Sequence, residues 1–220
     1  MKNLKIGTHV KVKTGTPVPD SEHQLMDGWQ GQVTNIQKED NIIEIEWDVQ
    51  TLLDTPYDYL HETISEGYDY ELMRLSIDEL ELATSRVPSD EDIATLNSKI
   101  YWIDFYEDKE KDKYYAALFK GINTSDYYQM YEKWVEHLNK HLKFPFDTTV
   151  EESERGGLSV GTKVKLLGLD DFHDEMRGIF GIGKSKFGSV TFPICNLEAT
   201  NKKTKNYGLL RDYVVWFANM

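Results

Sequence analysis

The chain has little cysteine, little proline, a deficit of positive charge and no long apolar run. Its single cysteine, Cys195, excludes an internal disulfide and fits a reducing compartment. No stretch approaches the roughly 18 apolar residues of a membrane-spanning helix, and Met1 to Thr8 lack the apolar core of a signal peptide. A cytoplasmic protein with no membrane partner is therefore expected. Basic residues number 25 against 38 acidic ones, a net charge of −13. Such a surface repels phosphate backbones, so nucleic acid is not an expected partner. The deficit is uneven: residues 1–86 hold 17 acids and 7 bases, residues 87–143 hold 11 and 8, and residues 144–220 hold 10 of each. Acidity in the first part is what solubility alone would explain.

Catalytic signatures are also missing from the reading. No nucleophile elbow, phosphate loop or dinucleotide fingerprint is expected. Gly181-Ile182-Gly183-Lys184 resembles a phosphate loop only superficially, because no Ser or Thr is read as following correctly and no helix is predicted after it. Cys195, between Ile194 and Asn196, reads as a buried structural thiol. His137 and His141 stand four apart, the spacing of a helical zinc pair, but no glutamate lies between them and Lys140 is a poor neighbour for a cation. They read as helix-flank histidines. No pair suggests general acid–base work, so no catalytic residue and no enzyme are expected.

What is present is a weak internal repeat. Leu4-Lys5-Ile6-Gly7-Thr8-His9-Val10-Lys11-Val12 matches Leu158-Ser159-Val160-Gly161-Thr162-Lys163-Val164-Lys165-Leu166. Both copies alternate apolar and polar residues, as a half-buried strand entered through glycine does. A polar acidic loop follows each, Asp20 to Asp27 and Asp170 to Glu175, then a glycine, Gly31 or Gly178, and further short strands separated by tight turns. The spacing predicts an α+β chain of two small antiparallel SH3-like β-barrels joined by a helical segment.

The first barrel spans residues 1–86 and carries an acidic, aromatic insertion over 51–70. That insertion caps the barrel or presents a binding surface. A helical connector over 87–124 starts at Ser89 as N-cap, with acids in its first turn. It contains a solvated charge run, Glu107 to Lys113, and a short helix from Tyr114 to Phe119. Residues 125–220 combine a long helix, opened by Thr124 or Ser125 and stopped by Pro145, with the second barrel. Tyr127, Tyr131, Trp134, Val135, Leu138 and Leu142 share one face of that helix, which reads as core.

Separated carboxylates are the remaining candidates for chemistry. Calcium takes about 6–8 oxygen ligands, and an EF-hand supplies them from one loop. Asp170-Asp171-Phe172-His173-Asp174-Glu175 lacks that loop's glycine and distal glutamate. A calcium site would have to assemble from Asp147 with Glu151, Glu152 and Glu154, from the loop holding Asp170, Asp171, Asp174 and Glu175, and from Asn196 and Glu198 at a strand end, with Asp212 before the last strand. Exposed surface acids are the alternative reading.

Several motifs carry a family resemblance in combination. They are Trp134-Val135-Glu136-His137-Leu138, Leu142-Lys143-Phe144-Pro145-Phe146-Asp147, Phe192-Pro193-Ile194-Cys195-Asn196-Leu197-Glu198, Asn206-Tyr207 and Asp212-Tyr213-Val214-Val215-Trp216-Phe217-Ala218-Asn219. Over residues 125–220 the chain resembles the bacterial calcium-binding proteins of the CcbP type. The resemblance implies a small β-rich domain that binds Ca2+ through surface carboxylates, and it points first to Asp147, Glu151, Asp170, Asp171 and Glu198; Asp174 joins them from the acidic loop. The chain departs from that pattern in its added N-terminal part, its neutral C-terminal part, and Asn196 where an aspartate is expected. A calcium-binding protein, buffer or sensor, is the leading expectation. The alternative is an SH3-like interaction module that binds a protein partner through Trp29, Trp47 and the tyrosines of the 51–70 insertion.

Overall fold

The computed structural model describes residues 4–19, 24–153 and 157–220. The chain forms two compact units, Met1–Asn123 and Thr124–Met220, each built on one five-stranded antiparallel sheet. No helix among the described residues is long and apolar enough to cross a membrane.

The sequence repeat has a structural counterpart. Gly7 and Gly161 both take positive φ, 86° and 81°, a region that glycine enters without a Cβ penalty. Each ends the same turn: the Thr8 N–H donates to the Lys5 carbonyl at 3.0 Å, and the Thr162 N–H to the Ser159 carbonyl at 3.1 Å. The strands that follow are β1 (His9–Val12) and β7 (Lys163–Asp174). They bury Val10 and Val12 in one unit and Val164 and Leu166 in the other, as period-two patterning requires.

In the first unit β1 is joined by β2 (Gln30–Gln37), β3 (Ile42–Trp47), β4 (Leu72–Ser76) and β5 (Leu80–Leu82), in the order β4-β3-β2-β1-β5. A 3-10 turn over Ile77–Glu79 precedes β5. The 51–70 insertion folds as two short helices, α1 (Val49–Asp54) and α2 (Tyr57–Ser65). Leu52 and Leu60 are buried, and Trp29, Tyr57, Tyr59 and Tyr70 pack against the same core. Trp47 is only 5% exposed, with its ring 5.3 Å from that of Trp29. Of the aromatic residues offered for an interaction groove, Tyr68 is the one that projects into solvent.

Two further helices complete this unit. Helix α3 (Asp90–Tyr101) opens with Ser89 and Asp92 in a reciprocal capping box, the arrangement its first turn encodes. Lys99 on α3 donates to the Leu52, Leu53 and Thr55 carbonyls at 3.0, 3.0 and 2.6 Å, which ties α3 to the C-terminal end of α1. Helix α4 (Lys109–Leu118) starts earlier than predicted, with Asp108 as N-cap. The charge run expected to be solvated therefore lies on a helix, and Asp112 within it is fully buried.

The second unit begins with α5 (Tyr127–His141), capped by Asp126 rather than by Thr124 or Ser125. Then come β6 (Phe146–Val150), β7, β8 (Gly178–Ser185), β9 (Gly188–Pro193), a 3-10 turn over Ile194–Asn196, β10 (Leu197–Ala199) and α6 (Lys205–Ala218). The strand order is β10-β6-β7-β8-β9. Tyr131 and Trp134 of α5 meet Tyr213 and Trp216 of α6 in an aromatic core, with Trp134 and Trp216 centroids 5.6 Å apart.

The structure changes three sequence expectations. The sheets are not closed barrels: each order ends at two edge strands, and no pairing joins those edges among the described residues. The Asp170–Glu175 segment is not a loop up to its last residue. Asp170 to Asp174 continue β7, with the register shifting between Leu169 and His173; a bulge lets a polar run stay in a ladder. The closing segment after Asp212 is not a strand but the second half of α6. Val214, Val215, Trp216 and Phe217 favour strands, yet Leu210, Tyr213 and Trp216 are all buried. That spacing fits one helical face, and packing decides the outcome.

Candidate metal site

The six carboxylates singled out from the sequence fall on separate parts of the second unit. Asp147 is an exposed residue of β6, across from Lys165 of β7. Asp170 and Asp171 lie in the bulged part of β7, where Asp170 Oδ1 accepts from its own chain at the Phe172 N–H, 3.1 Å away. Asp174 ends β7 and accepts from the Met176 N–H at 2.9 Å. Glu151 directly follows β6 and donates its N–H to the Asn196 carbonyl at 2.9 Å. Glu198 is the middle residue of β10, across from Thr149. Glu154 and residues 20–23 of the first acidic loop lie outside the described residues.

Two of the six come together. A cavity of about 380 Å³ between α6 and the β10 edge is lined by Glu151, Glu152 and Glu198, with Tyr207 and Arg211 from α6. The local chain explains the convergence. Val150 pairs with Leu197 and Thr149 with Glu198, so the acids that leave β6 and the acid within β10 meet at one sheet edge. Asp147, Asp170, Asp171 and Asp174 do not line this cavity.

Charge at the cavity is mixed. Lys202 Nζ pairs with Glu198 at 2.9 Å, and its own ionisation is held above the usual lysine range, first by that hydrogen bond and also by the field of Glu198 and Glu151. Three carboxylates could offer a hard cation up to six oxygens, the donor type calcium prefers. Lys202 and Arg211 offset part of their charge. Among the described residues, no three of these acids form a compact ligand group; the one compact group of His and Asp side chains is His61, Asp104 and Asp112 in the first unit.

The histidine pair on α5 holds no metal cluster of this kind. His137 is buried rather than on the flank, only 3% exposed, with its ring 4.8 Å from that of His141. Burial, together with the charges of His141, Lys133 and Lys140 and against that of Asp212, lowers its pKa from 6.5 to about 4. The sign follows directly. Between pH 6.5 and 4 the unfolded chain takes up a proton at this site and the folded chain does not, so stability falls as the pH drops. The expected loss is at most about 3 kcal/mol. Urea unfolding at pH 7 and pH 4.5 should show it, and His137→Leu should flatten the dependence.

Two catalytic spacings do occur in the sequence, contrary to expectation. Gly157-Leu158-Ser159-Val160-Gly161 reads G-x-S-x-G, and Gly178 to Ser185 reads G-x-x-x-x-G-K-S. Neither has the context its chemistry needs. Ser159 sits in the turn that enters β7, with no helix after it, and Gly178–Ser185 is the strand β8 itself, paired on both sides. Cys195 is half-buried, its Sγ 3.4 Å from the Arg177 carbonyl.

Residues 122–217 match the profile of the CcbP family, described as calcium binding. The C-terminal unit is a CcbP-family domain. Two solved structures are similar to it at low identity. One is the crystal structure of Anabaena CcbP, 17% identical, covering 44% of this chain and 80% of that one with a TM-score of 0.38. The other is a calcium-binding protein in the calcium-binding form, 18% identical, covering 44% and 82% with a TM-score of 0.37. Among curated proteins none matches the chain. The CcbP-family match ends within α6 and takes in α5, all five strands of the second sheet and the cavity at the β10 edge.

Proposed function

We propose that the CcbP-family domain binds calcium at the β10 edge, with Glu151, Glu152 and Glu198 as the carboxylates around which the site forms. The observation that carries this reading is the family match over residues 122–217. The convergence of three glutamates on one cavity supports it. Asp147, Asp170, Asp171 and Asp174, also expected as ligands, are secondary candidates in this reading. The ion would displace Lys202 from Glu198. An exposed pair of this kind contributes only about 0–1 kcal/mol, so the exchange costs little. A buffer rather than a sensor is the role we favour, since Glu198 lies within a paired strand and Glu151 directly follows one.

Calorimetric titration of the full chain with calcium tests the proposal. Micromolar-to-millimolar binding is expected, with Glu198→Gln and Glu151→Gln each weakening it about tenfold or more, since affinity in such sites follows ligand charge. Lys202→Gln should strengthen binding by about two- to fivefold by removing the competing cation. The absence of any calcium heat, with no change in thermal midpoint, would overturn the reading. Binding that persists in Glu198→Gln and Glu151→Gln but fails in Asp171→Asn would move the site to β7.

A further inference from the structure

One histidine and two aspartates come together in the first unit, where the sequence offered no motif. Asp112 of α4 has no solvent exposure. One of its oxygens, Oδ1, accepts from the Tyr106 N–H at 2.8 Å. The other, Oδ2, has no hydrogen-bond partner and faces His61 Nε2 of α2 at 3.8 Å. His61 Nε2 is itself buried without a hydrogen bond, and Asp104 Oδ1 stands 3.4 Å from it. All three ligand atoms lie within 4.8 Å of one another.

The hydrogen bonds around the histidine fix its tautomer. Ser65 Oγ donates its only proton to Asp104 Oδ1 at 2.7 Å. It stands 3.2 Å from His61 Nδ1, and with its proton committed it can only accept there. Nδ1 therefore carries the proton, and Nε2 presents a lone pair toward two carboxylate oxygens. Asp104 is exposed, but Asp112 and His61 Nε2 are buried, and electron-rich atoms that face one another away from water repel unless a cation lies between them. A proton on Nε2 would make only long ion pairs, at 3.4 and 3.8 Å, beyond ordinary hydrogen-bond lengths of about 2.7–3.2 Å. A metal ion fits the spacing more closely. With ligand bonds of about 2.0–2.2 Å, neighbouring ligand atoms lie roughly 3.0–3.6 Å apart; the His61–Asp104 separation is already in that range, the His61–Asp112 separation of 3.8 Å exceeds it by a few tenths of an ångström, and the two carboxylates lie within 4.8 Å of each other.

The surroundings fit the same assignment. A metal-ligating histidine usually donates its other nitrogen to a carboxylate, carbonyl or water; here the Ser65 hydroxyl takes that place, 3.2 Å from Nδ1. Asp104 is held by its backbone in the left-handed region, φ 57°, within the turn between α3 and α4. The Tyr57 hydroxyl is another buried polar atom without a hydrogen bond; its ionisation is opposed first by burial and then by the charges of Asp112, Asp104 and Asp58. Two carboxylates balance a divalent charge, and an imidazole nitrogen favours a first-row transition ion over calcium. We propose that His61, Asp104 and Asp112 form a binding site for a divalent transition-metal ion, zinc or one of its neighbours, independent of the CcbP-family domain's calcium site.

The test uses the full chain, stripped of metal with a chelator and titrated with Zn2+ in the presence of saturating Ca2+. One zinc equivalent and a raised thermal midpoint are expected. Co2+ in place of zinc should give visible d–d absorption with a nitrogen ligand. His61→Gln should abolish the zinc equivalent, and Ser65→Ala should weaken it by about 10–100-fold, the effect typical of a lost supporting hydrogen bond; calcium titration should be unchanged in both. Asp104→Asn, at a half-exposed position, gives the same readout should Asp112→Asn fail to fold. No zinc equivalent in the native chain, or equal zinc binding in the native chain, His61→Gln and Asp104→Asn, would overturn the proposal. Neither result bears on calcium, so the two readings fail separately.

Discussion

Trp102→Ala should destabilise the first unit by about 3–5 kcal/mol, the range for truncating a fully buried tryptophan. Trp102 has no solvent exposure and ends α3. The rings of Tyr101, Phe105, Tyr106, Tyr115 and Phe119 all lie within 5.9 Å of it, centroid to centroid. Removing the indole leaves a void that five aromatic rings cannot fill without leaving their own contacts. A domain of ordinary stability holds only about 5–15 kcal/mol in total, so much of the margin goes. Urea denaturation followed by far-UV circular dichroism measures the loss. The variant also tests the metal site, because Trp102 anchors the turn that carries Asp104 and the Tyr106 N–H bound to Asp112. Zinc affinity should fall together with stability. A loss of under about 1 kcal/mol would show that the aromatic cluster is not the core of this region.

Gly178→Ala should cost the CcbP-family domain about 2–5 kcal/mol, from two causes that act together. The residue has φ 75°, where a side chain costs roughly 1–3 kcal/mol. A Cβ there would also collide with the Tyr213 hydroxyl and stand 3.0 Å from the Phe217 ring. Tyr213 cannot simply swing away. It is fully buried, and its hydroxyl accepts the Ile179 N–H at 2.8 Å. Either the start of β8 or α6 must shift, and overpacking of this kind costs about 1–3 kcal/mol more. Because α6 forms one wall of the cavity lined by Glu151, Glu152 and Glu198, calcium affinity should drop as well. Thermal unfolding with and without calcium checks both effects. An unchanged midpoint would refute the close packing at Gly178.

The local elements were largely legible because their signals are local. Glycines at Gly7 and Gly161, the Ser89 cap and the apolar face of α5 each depend on residues a few positions apart. The family was legible for a different reason: its motifs survive in combination across residues 122–217. Where the chain ends in Val214-Val215-Trp216-Phe217, local preference misleads, since the helix is held by Tyr213 and Trp216 packing against α5. Whether a sheet closes is likewise invisible, because closure depends on which edge strands find partners.

The candidate sites show the same division. The sequence by itself determined that acids are plentiful, that the C-terminal unit is of the CcbP family, and that Asp170 to Glu175 lack the glycine and distal glutamate of an EF-hand loop. It could not rank the acids, because spacing along a chain says little about distances between separate strands. Only the tertiary structure gathers Glu151, Glu152 and Glu198 at one edge and leaves Asp147, Asp170, Asp171 and Asp174 away from that cavity. Only the tertiary structure, too, turns Asp112 from one acid in a mixed charge run into a buried oxygen facing His61, 51 residues earlier in sequence. The physical reason is that ligation depends on distances of a few ångströms and on desolvation, and the fold alone sets both.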